Sequence, residues 1–433
     1  VQGNLLERRR FVLGHESAGK LKGQMFSSEE TRHADLRGGT PPWQRPLQPF
    51  RPPPEADIRC DVAIVGAGIT GSLAAEHLTS RGLQVCVIDQ QKPGLGSTAA
   101  STSMLQWEID NPLRDLASRY GFERAARAYH YSLAAASGLV ALANELGIPC
   151  QLRPRHSIYL AAGDVDARQL MIEHDLRRRA NLPGEFIPRT NLMDHFGFDR
   201  DGAIVSPGSA DADPLQLASG LLAIALSRQA IVCDAQAVAY HDDSREAIVE
   251  LESGHVVAAR HVVLATGYAL PDIVKPQLHQ IASSWAIATA VQPPGTLWRD
   301  GMLVWEASTD YHYARTTTDG RIVFGVEDDD QLTEPDKRDG CIPAKSATLA
   351  RALASLRPDA DTTIDYAWAG AFGKTDDGLP LIGLVPGHPR IYGAFGYGGN
   401  GITFSYLASL IIARMIAGDH RKEFDDFALD RAG

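Results

Sequence analysis

The sequence predicts an α/β fold built on a parallel central sheet. Three observations carry this: a glycine-rich turn between an apolar run and a periodic helix, a second apolar run ending in an acid, and a globular composition of 44% apolar and 22% charged residues. The turn lies in Asp61-Val62-Ala63-Ile64-Val65-Gly66-Ala67-Gly68-Ile69-Thr70-Gly71. Val62–Val65 reads as a parallel strand, and an apolar-periodic helix is expected from Ile69 to about Arg81. Gly66 permits the tight turn, Gly68 lets backbone approach a pyrophosphate, and Gly71 lets the helix pack on its strand. The phosphates would sit at the helix N-terminus, where free N–H groups and the dipole favour negative charge. The next strand, Gln84–Ile88, ends in Asp89, about 20 residues on, where a carboxylate can accept hydrogen bonds from ribose hydroxyls. Strand, glycines, helix, strand and acid arrive in order, as in a Rossmann-type dinucleotide-binding unit.

Composition narrows the partners. The 433 residues leave room for more than one structural unit, and a net charge of -11 argues against a nucleic-acid surface, which needs clustered Lys and Arg. No apolar stretch approaches the roughly 20 residues of a membrane span; Leu221–Leu226 and Leu407–Ala417 read as buried helices. Cys60, Cys86, Cys150, Cys233 and Cys341 are scattered and never spaced as C-x-x-C, which excludes the usual zinc and redox patterns and suits a cytoplasmic protein; no metal is expected. Cys86 falls inside a predicted buried strand, as a small core residue. Arg8-Arg9-Arg10 lacks the apolar run of a twin-arginine export signal. Val1 to about Pro54 is polar and broken by Gly and Pro, so it reads as an N-terminal arm or tail, with Met25 as a second possible start.

A second match to the glycine pattern, Gly396-Tyr397-Gly398-Gly399-Asn400-Gly401, follows a strand (Ile391–Phe395) and precedes a helix from about Ile402 to Ile416. No second strand or ribose acid comes after it, so it is not a complete dinucleotide unit. It can still present a helix N-terminus to an electron-rich ligand atom, such as the pyrimidine carbonyl of a flavin. No further complete fingerprint stands mid-chain, so electrons are expected to reach a flavin directly from an organic substrate.

These residues resemble the D-amino-acid-oxidase-like superfamily of FAD-dependent oxidoreductases, from about Asp61 to Gly418. Four segments carry the likeness. They are Gly66–Asp89, the small-residue loop Gly94–Leu105, the strand and turn His261–Gly267, and Trp368–Gly383 with the Gly396–Thr403 element. The resemblance implies non-covalent FAD, since no Cys lies between Tyr366 and Gly383 where relatives with attached flavin carry one. It implies cofactor contacts from Gly66, Ala67, Gly68, Ile69, Thr70 and Gly71, and from Asp89 and Gln90. Further contacts are implied for Ser97, Thr98, Ser101, Thr102, Ser103 and Met104 in the loop, and for Ala237, Val238, Ala265, Thr266 and Gly267. The last group is Gly398, Gly399, Asn400, Gly401, Ile402 and Thr403.

The resemblance also implies a discontinuous second domain on a mixed, largely antiparallel sheet. The expected division is an arm at 1–54, an FAD-binding domain at 55–147, 215–279 and 367–433, and a substrate domain at 148–214 and 280–366. Strands are expected at His156–Ala161, Ser283–Val291, Tyr311–Thr316 and Arg321–Gly325, with a connecting helix at about Phe122–Leu146. In such enzymes a substrate C–H passes hydride to flavin N5 and the resulting imine is hydrolysed, with protein groups positioning the substrate and tuning charge. No acid–base dyad is required.

One departure bears on the substrate. Where relatives that oxidise simple amino acids place an Arg for the carboxylate, spacing puts Phe372 here; Lys374 or Arg315 are the candidates to replace it, against a bland reading of each as a structural cation. The pocket candidates are Met104, Gln106, Tyr313, Arg315, Trp368 and Lys374, with Tyr313 and Arg315 sharing one face of their strand. His312 is expected on the solvent face of that strand, without a carboxylate to orient it, and His255 and His261 as structural residues. The expected substrate is a small amine or amino acid, with oxygen or an electron-transfer acceptor taking the electrons. A CH–OH dehydrogenase of 2-hydroxy acids or polyol phosphates, and a non-catalytic FAD-binding subunit, stand as the rival readings.

Overall fold

The computed structural model describes residues 33–34, 36–43, 53–276, 278–309 and 311–431. Arg8–Arg10 and Met25 lie outside the described residues. In chain order, the elements that build the site are β1 (Arg37–Thr40), β2 (Ile58–Val65), α1 (Ile69–Thr79), β3 (Val85–Asp89), β4 (Val256–Leu264), β5 (His279–Thr289), β6 (Leu303–Ala307), β7 (His312–Thr316), β8 (Ile322–Asp329), β9 (Ile364–Thr375), β10 (Ile391–Phe395) and α2 (Gly401–Ile416).

The first sheet is parallel at its centre. β2 pairs in parallel with β3 on one side and β4 on the other, β3 with Ile231–Asp234, and β4 with β10. Its strands are continuous apolar runs because both faces are covered. Val62 and Ile64 pack into a core with α1 and α2, while Ala63 and Val65 pack into a separate one on the other face. Every residue of α1 is buried, so that helix draws its stability from packing rather than from capping. Each fully buried Val or Ile here is worth about 1.5–3 kcal/mol.

The second sheet is mixed. From one edge it runs His33–Ala34, β1, β9, β5, β8, β7, β6, Arg153–Ala161, Gly202–Asp211 and Met104–Leu105. β6 lies parallel to Arg153–Ala161, and the other pairs along this path are antiparallel. The fold is therefore the expected one, an α/β chain with a parallel sheet and a largely antiparallel partner. The predicted connecting helix occupies Phe122–Glu145, and β10 has the predicted bounds.

The arm is a correction. Within the stretch read as a tail, β1 joins the large sheet between His33–Ala34 and β9, pairing Arg37 with Gly370 and Thr40 with Ala367. Arg37 is fully buried, and its guanidinium donates to the carbonyls of Leu95 and Gly39. A four-residue strand between glycines and prolines has no period long enough to announce itself; the partner strand makes it.

Candidate active site

A cavity of about 800 Å³ runs from the C-terminal ends of the parallel strands to one face of the large sheet. At the first end stands the glycine turn. Gly66 has φ of +107°, and a Cβ there would lie 2.3 Å from the carbonyl oxygen of Ala265. A Cβ on Gly71 would lie 1.8 Å from the Gly66 carbonyl, so only glycine lets α1 sit this close to β2. Asp89 at the end of β3 accepts from the backbone N–H of Ala67 at 2.6 Å and of Gln91 at 2.8 Å. Burial pushes its carboxyl up to about 6, even though those two N–H groups favour the charged form. The first free N–H of α1, on Ile69, donates to Thr98 Oγ1 at 2.9 Å and ties the small-residue loop to the turn.

The loop is fastened from a second side. Trp368 Nε1 on β9 donates to the Ala100 carbonyl at 2.8 Å, and Trp43 Nε1 donates to the Ser101 carbonyl at 2.9 Å. The two indoles meet edge to face, 6.5 Å between centroids. Leu36 lines the cavity directly.

The second glycine turn closes the far end. Gly396 and Gly398 have φ of +65° and +56°, and the turn leads through Gly398–Asn400 into α2. The Gly399 N–H donates to Asp110 Oδ2 at 2.6 Å, and Cβ atoms on Gly398 and Gly399 would lie 2.3 and 2.8 Å from that carboxylate. The negative group at this helix entrance thus belongs to the chain itself. Asp110 opens onto the cavity, and the protein atoms crowded around it strip away part of its hydration and push its carboxyl up to about 6.

Most of the anticipated cofactor residues line this one cavity: Gly66, Gly68, Ile69, Thr70, Asp89, Gln90, Ser97, Thr98, Ser101, Thr102, Met104, Ala237, Val238, Ala265, Thr266, Gly267 and Gly398–Ile402. Ala67, Gly71, Ser103 and Thr403 stand behind the lining. Ala67 holds Asp89, Gly71 packs on Gly66, Ser103 has a positive φ of 57°, and Thr403 Oγ1 donates to the Gln106 carbonyl at 2.8 Å.

Of the pocket candidates, Met104, Gln106, Tyr313 and Trp368 line the cavity, as does Phe372. Arg315 and Lys374 do not. Arg315 is buried two residues beyond Tyr313, toward the last residue of β7, and donates to the carbonyls of Ser103 at 2.8 Å and Ala212 at 3.0 Å, with its guanidinium 4.8 Å from the Trp43 ring. It braces the flavin-type loop from beneath, and burial lowers it to about 10. Lys374 Nζ pairs with Asp330 at 2.7 Å on the partly exposed rim. His312 faces away from this cavity as expected, but not into open solvent. Its Nδ1 lies 2.9 Å from Glu306 Oε2 and its ring stacks on Phe324, so the carboxylate partner that the sequence hides comes from neighbouring β6.

Sequence reasoning missed Asp110, Asp328, Tyr268, Tyr311 and Glu108, all of which line the cavity. For three of them a signal existed. Met104, Gln106, Glu108 and Asp110 all line it, so the period-two pattern begun at Met104 continues past the residues singled out. Tyr311 likewise shares Tyr313's parity. Glu108 is fully buried and held by the hydroxyls of Ser157 and Ser209, with Arg177 as its counter-charge.

The lining fits a flavin nucleotide on its own evidence. Ser97 Oγ, Thr266 Oγ1, Gln106 Nε2 and Asn400 Oδ1 are buried and make no hydrogen bond within the protein. Together with the glycine cradle they leave donors and acceptors for a polar ligand of dinucleotide size. A parallel sheet with this turn, joined through one cavity to a mixed sheet, defines a dinucleotide-binding protein of two sheets. Residues 61–415 match the family described as "FAD dependent oxidoreductase" (DAO), and the chain belongs to that family. It is 26% identical to gamma-glutamylputrescine oxidoreductase of Escherichia coli over 86% of each chain. It is 24% identical to glycine oxidase of Geobacillus kaustophilus over 84% of this chain and 94% of that one. The crystal structure of glycine oxidase from Geobacillus kaustophilus superposes with a TM-score of 0.71 at 23% identity, covering 87% of this chain and 100% of the other. The chain is thus an FAD-dependent oxidoreductase. Among the described residues, no helix is long and apolar enough to cross a membrane.

Proposed function

We propose that the enzyme oxidises the C–N bond of a small amine, with dissociable FAD held between the two glycine turns. The observation that carries this reading is the charge inventory of the cavity: no Arg or His lines it among the described residues, and its one Lys, Lys92, belongs to the loop after Asp89. An anionic substrate such as a 2-hydroxy acid or polyol phosphate lacks a counter-charge beside the large sheet, whereas an amine needs none.

Asp89 is the acceptor for ribose hydroxyls, the Gly66–Gly71 turn with Ser97 and Thr266 the pyrophosphate cradle, and Gln106 the polar contact at the flavin's ring end. When bound, FAD supplies the two-electron acceptor for the substrate's C–H hydride. The chain's own part is to orient and desolvate. Tyr311, Tyr313, Trp305 and Phe372 wall the substrate end, and an apolar aromatic wall favours the neutral amine, the form able to give up hydride. Loss of hydride and of a nitrogen proton leaves an imine, which takes up water to release a carbonyl compound and ammonia or a smaller amine.

The test is the visible spectrum of the purified holoenzyme before and after anaerobic addition of amines, amino acids and 2-hydroxy acids. Bleaching by amines supports the reading, and bleaching by hydroxy acids alone overturns it. Acid precipitation should leave the yellow colour in the supernatant; a coloured pellet would mean attached flavin.

A further inference from the structure

We propose that Asp110 and Asp328 form an ammonium-binding end of the cavity, so that the preferred substrate carries a second, non-reacting cationic nitrogen where amino-acid substrates carry a carboxylate. This rests on the amine reading above. The two acids reach the cavity from different elements, Asp110 from the extended segment after Gln106 and Asp328 from β8. Tyr311 OH donates to Asp328 Oδ2 at a long 3.5 Å, and Tyr311 and Tyr313 lie 6.3 Å apart, ring to ring, in the same wall. Carboxylates set among electron-rich ring faces are the combination that binds organic ammonium.

A second observation points to a ligand here. Asn400 is 4% exposed and follows the residue that holds Asp110, yet its Oδ1 accepts no hydrogen bond in the protein. Its amide nitrogen is already committed, donating to the Glu108 carbonyl at 2.8 Å. What remains open is an acceptor, which suits an N–H donor.

The acids cannot serve the reacting nitrogen equally well. Nearby negative charge keeps an amine protonated, and a protonated amine does not release hydride. Two carboxylates at the reacting centre would oppose the chemistry, whereas at a distal nitrogen they fix orientation and register. Phe372, standing where a carboxylate-binding Arg is expected, fits the same exchange of charge.

The experiment compares three compounds of equal length on the FAD-loaded enzyme: an α,ω-diaminoalkane, the n-alkylamine and the ω-amino carboxylate. Binding is read by the thermal shift of the oxidised holoenzyme, and reduction by anaerobic bleaching. The expected result is a half-saturating concentration about tenfold or more lower for the diamine than for the monoamine, with the amino carboxylate weakest. Asp328→Asn should shrink the diamine-to-monoamine ratio several-fold while FAD content stays the same. Equal saturation by diamine and monoamine, or a ratio that Asp328→Asn leaves untouched, overturns this inference and leaves the amine reading standing. Bleaching by no amine at all overturns both.

Discussion

The molecule contains the same glycine pattern twice, and the two copies do different work. At Gly66–Gly71 the turn is followed by α1 and a parallel strand, and the acid that meets it, Asp89, comes from that strand. At Gly396–Gly401 the turn is followed by α2, and the acid that meets it, Asp110, comes from a segment nearly 290 residues away, |i−j| = 289. Each acid accepts a backbone N–H at 2.6 Å, Asp89 a second at 2.8 Å, and loss of hydration pushes each up to about 6. The local chemistry is nearly the same. What differs is the packing: a Cβ on Gly71 strikes backbone at 1.8 Å, whereas one on Gly398 strikes the end of a side chain at 2.3 Å. The glycine string therefore reports a tight strand-to-helix turn, and the residues brought against it decide what the turn is for.

The largest expected difference lies there. Gly71→Val should cost at least about 4 kcal/mol, because backbone cannot yield, and should abolish soluble folded protein. Gly398→Ala should cost only about 1–2 kcal/mol, since Asp110 can swing aside although φ stays unfavourable. Equal losses in denaturant titrations would erase the distinction. Next comes cofactor affinity. Asp89→Asn should weaken FAD binding about tenfold in a fluorescence titration, and Asp110→Asn should change it much less. The reverse order would exchange the roles assigned to the two turns.

The pH response is smaller and has a definite sign. A carboxyl raised from 3.8 to about 6 keeps a proton in the folded state that the unfolded chain has released. Its contribution therefore favours folding at low pH, and that contribution is lost as pH rises from about 4 to about 6. In the FAD-free protein, Asp110→Asn should gain stability relative to wild type across that window, and a difference that is flat or falls with pH would contradict a raised carboxyl at Asp110. The smallest effect belongs to Lys374→Gln. Its pair with Asp330 is half exposed, so stability should move by no more than about 0.5 kcal/mol, with no change in the order of substrates.

The first turn was legible because its parts are neighbours in sequence: strand, glycines, helix, strand and Asp89 occupy one short stretch, and apart from a first strand that begins four residues early the observed bounds fall within two residues of those expected. The second turn was legible as a turn, but Asp110 was not legible as its partner, since no local period links residues so far apart. Lys374 and Arg315 show a different limit. Arg315 was placed on one face of its strand with Tyr313, which lines the cavity, and Lys374 follows Phe372 on β9, which also lines it. Each step of two residues also moves about 6.6 Å along the strand. That carries Lys374 past the rim to Asp330 and Arg315 under the loop to Ser103. Alternation tells which face a side chain takes, and only the folded neighbour tells how far the cavity extends.

The strand β1 imposes an order on assembly. Arg37 stands in register with Gly370, so beyond its short pairing with His33–Ala34 this strand is seated in the sheet only once β9, more than three hundred residues further along the chain, is in place. Contacts of such long sequence separation form late, after loop closure over most of the chain. The dinucleotide turn, by contrast, can form from its own neighbourhood. Leu36 and Trp43, at either end of β1, therefore take their places with β9 rather than with the glycine turn, although Leu36 lines the same cavity and Trp43 holds its small-residue loop.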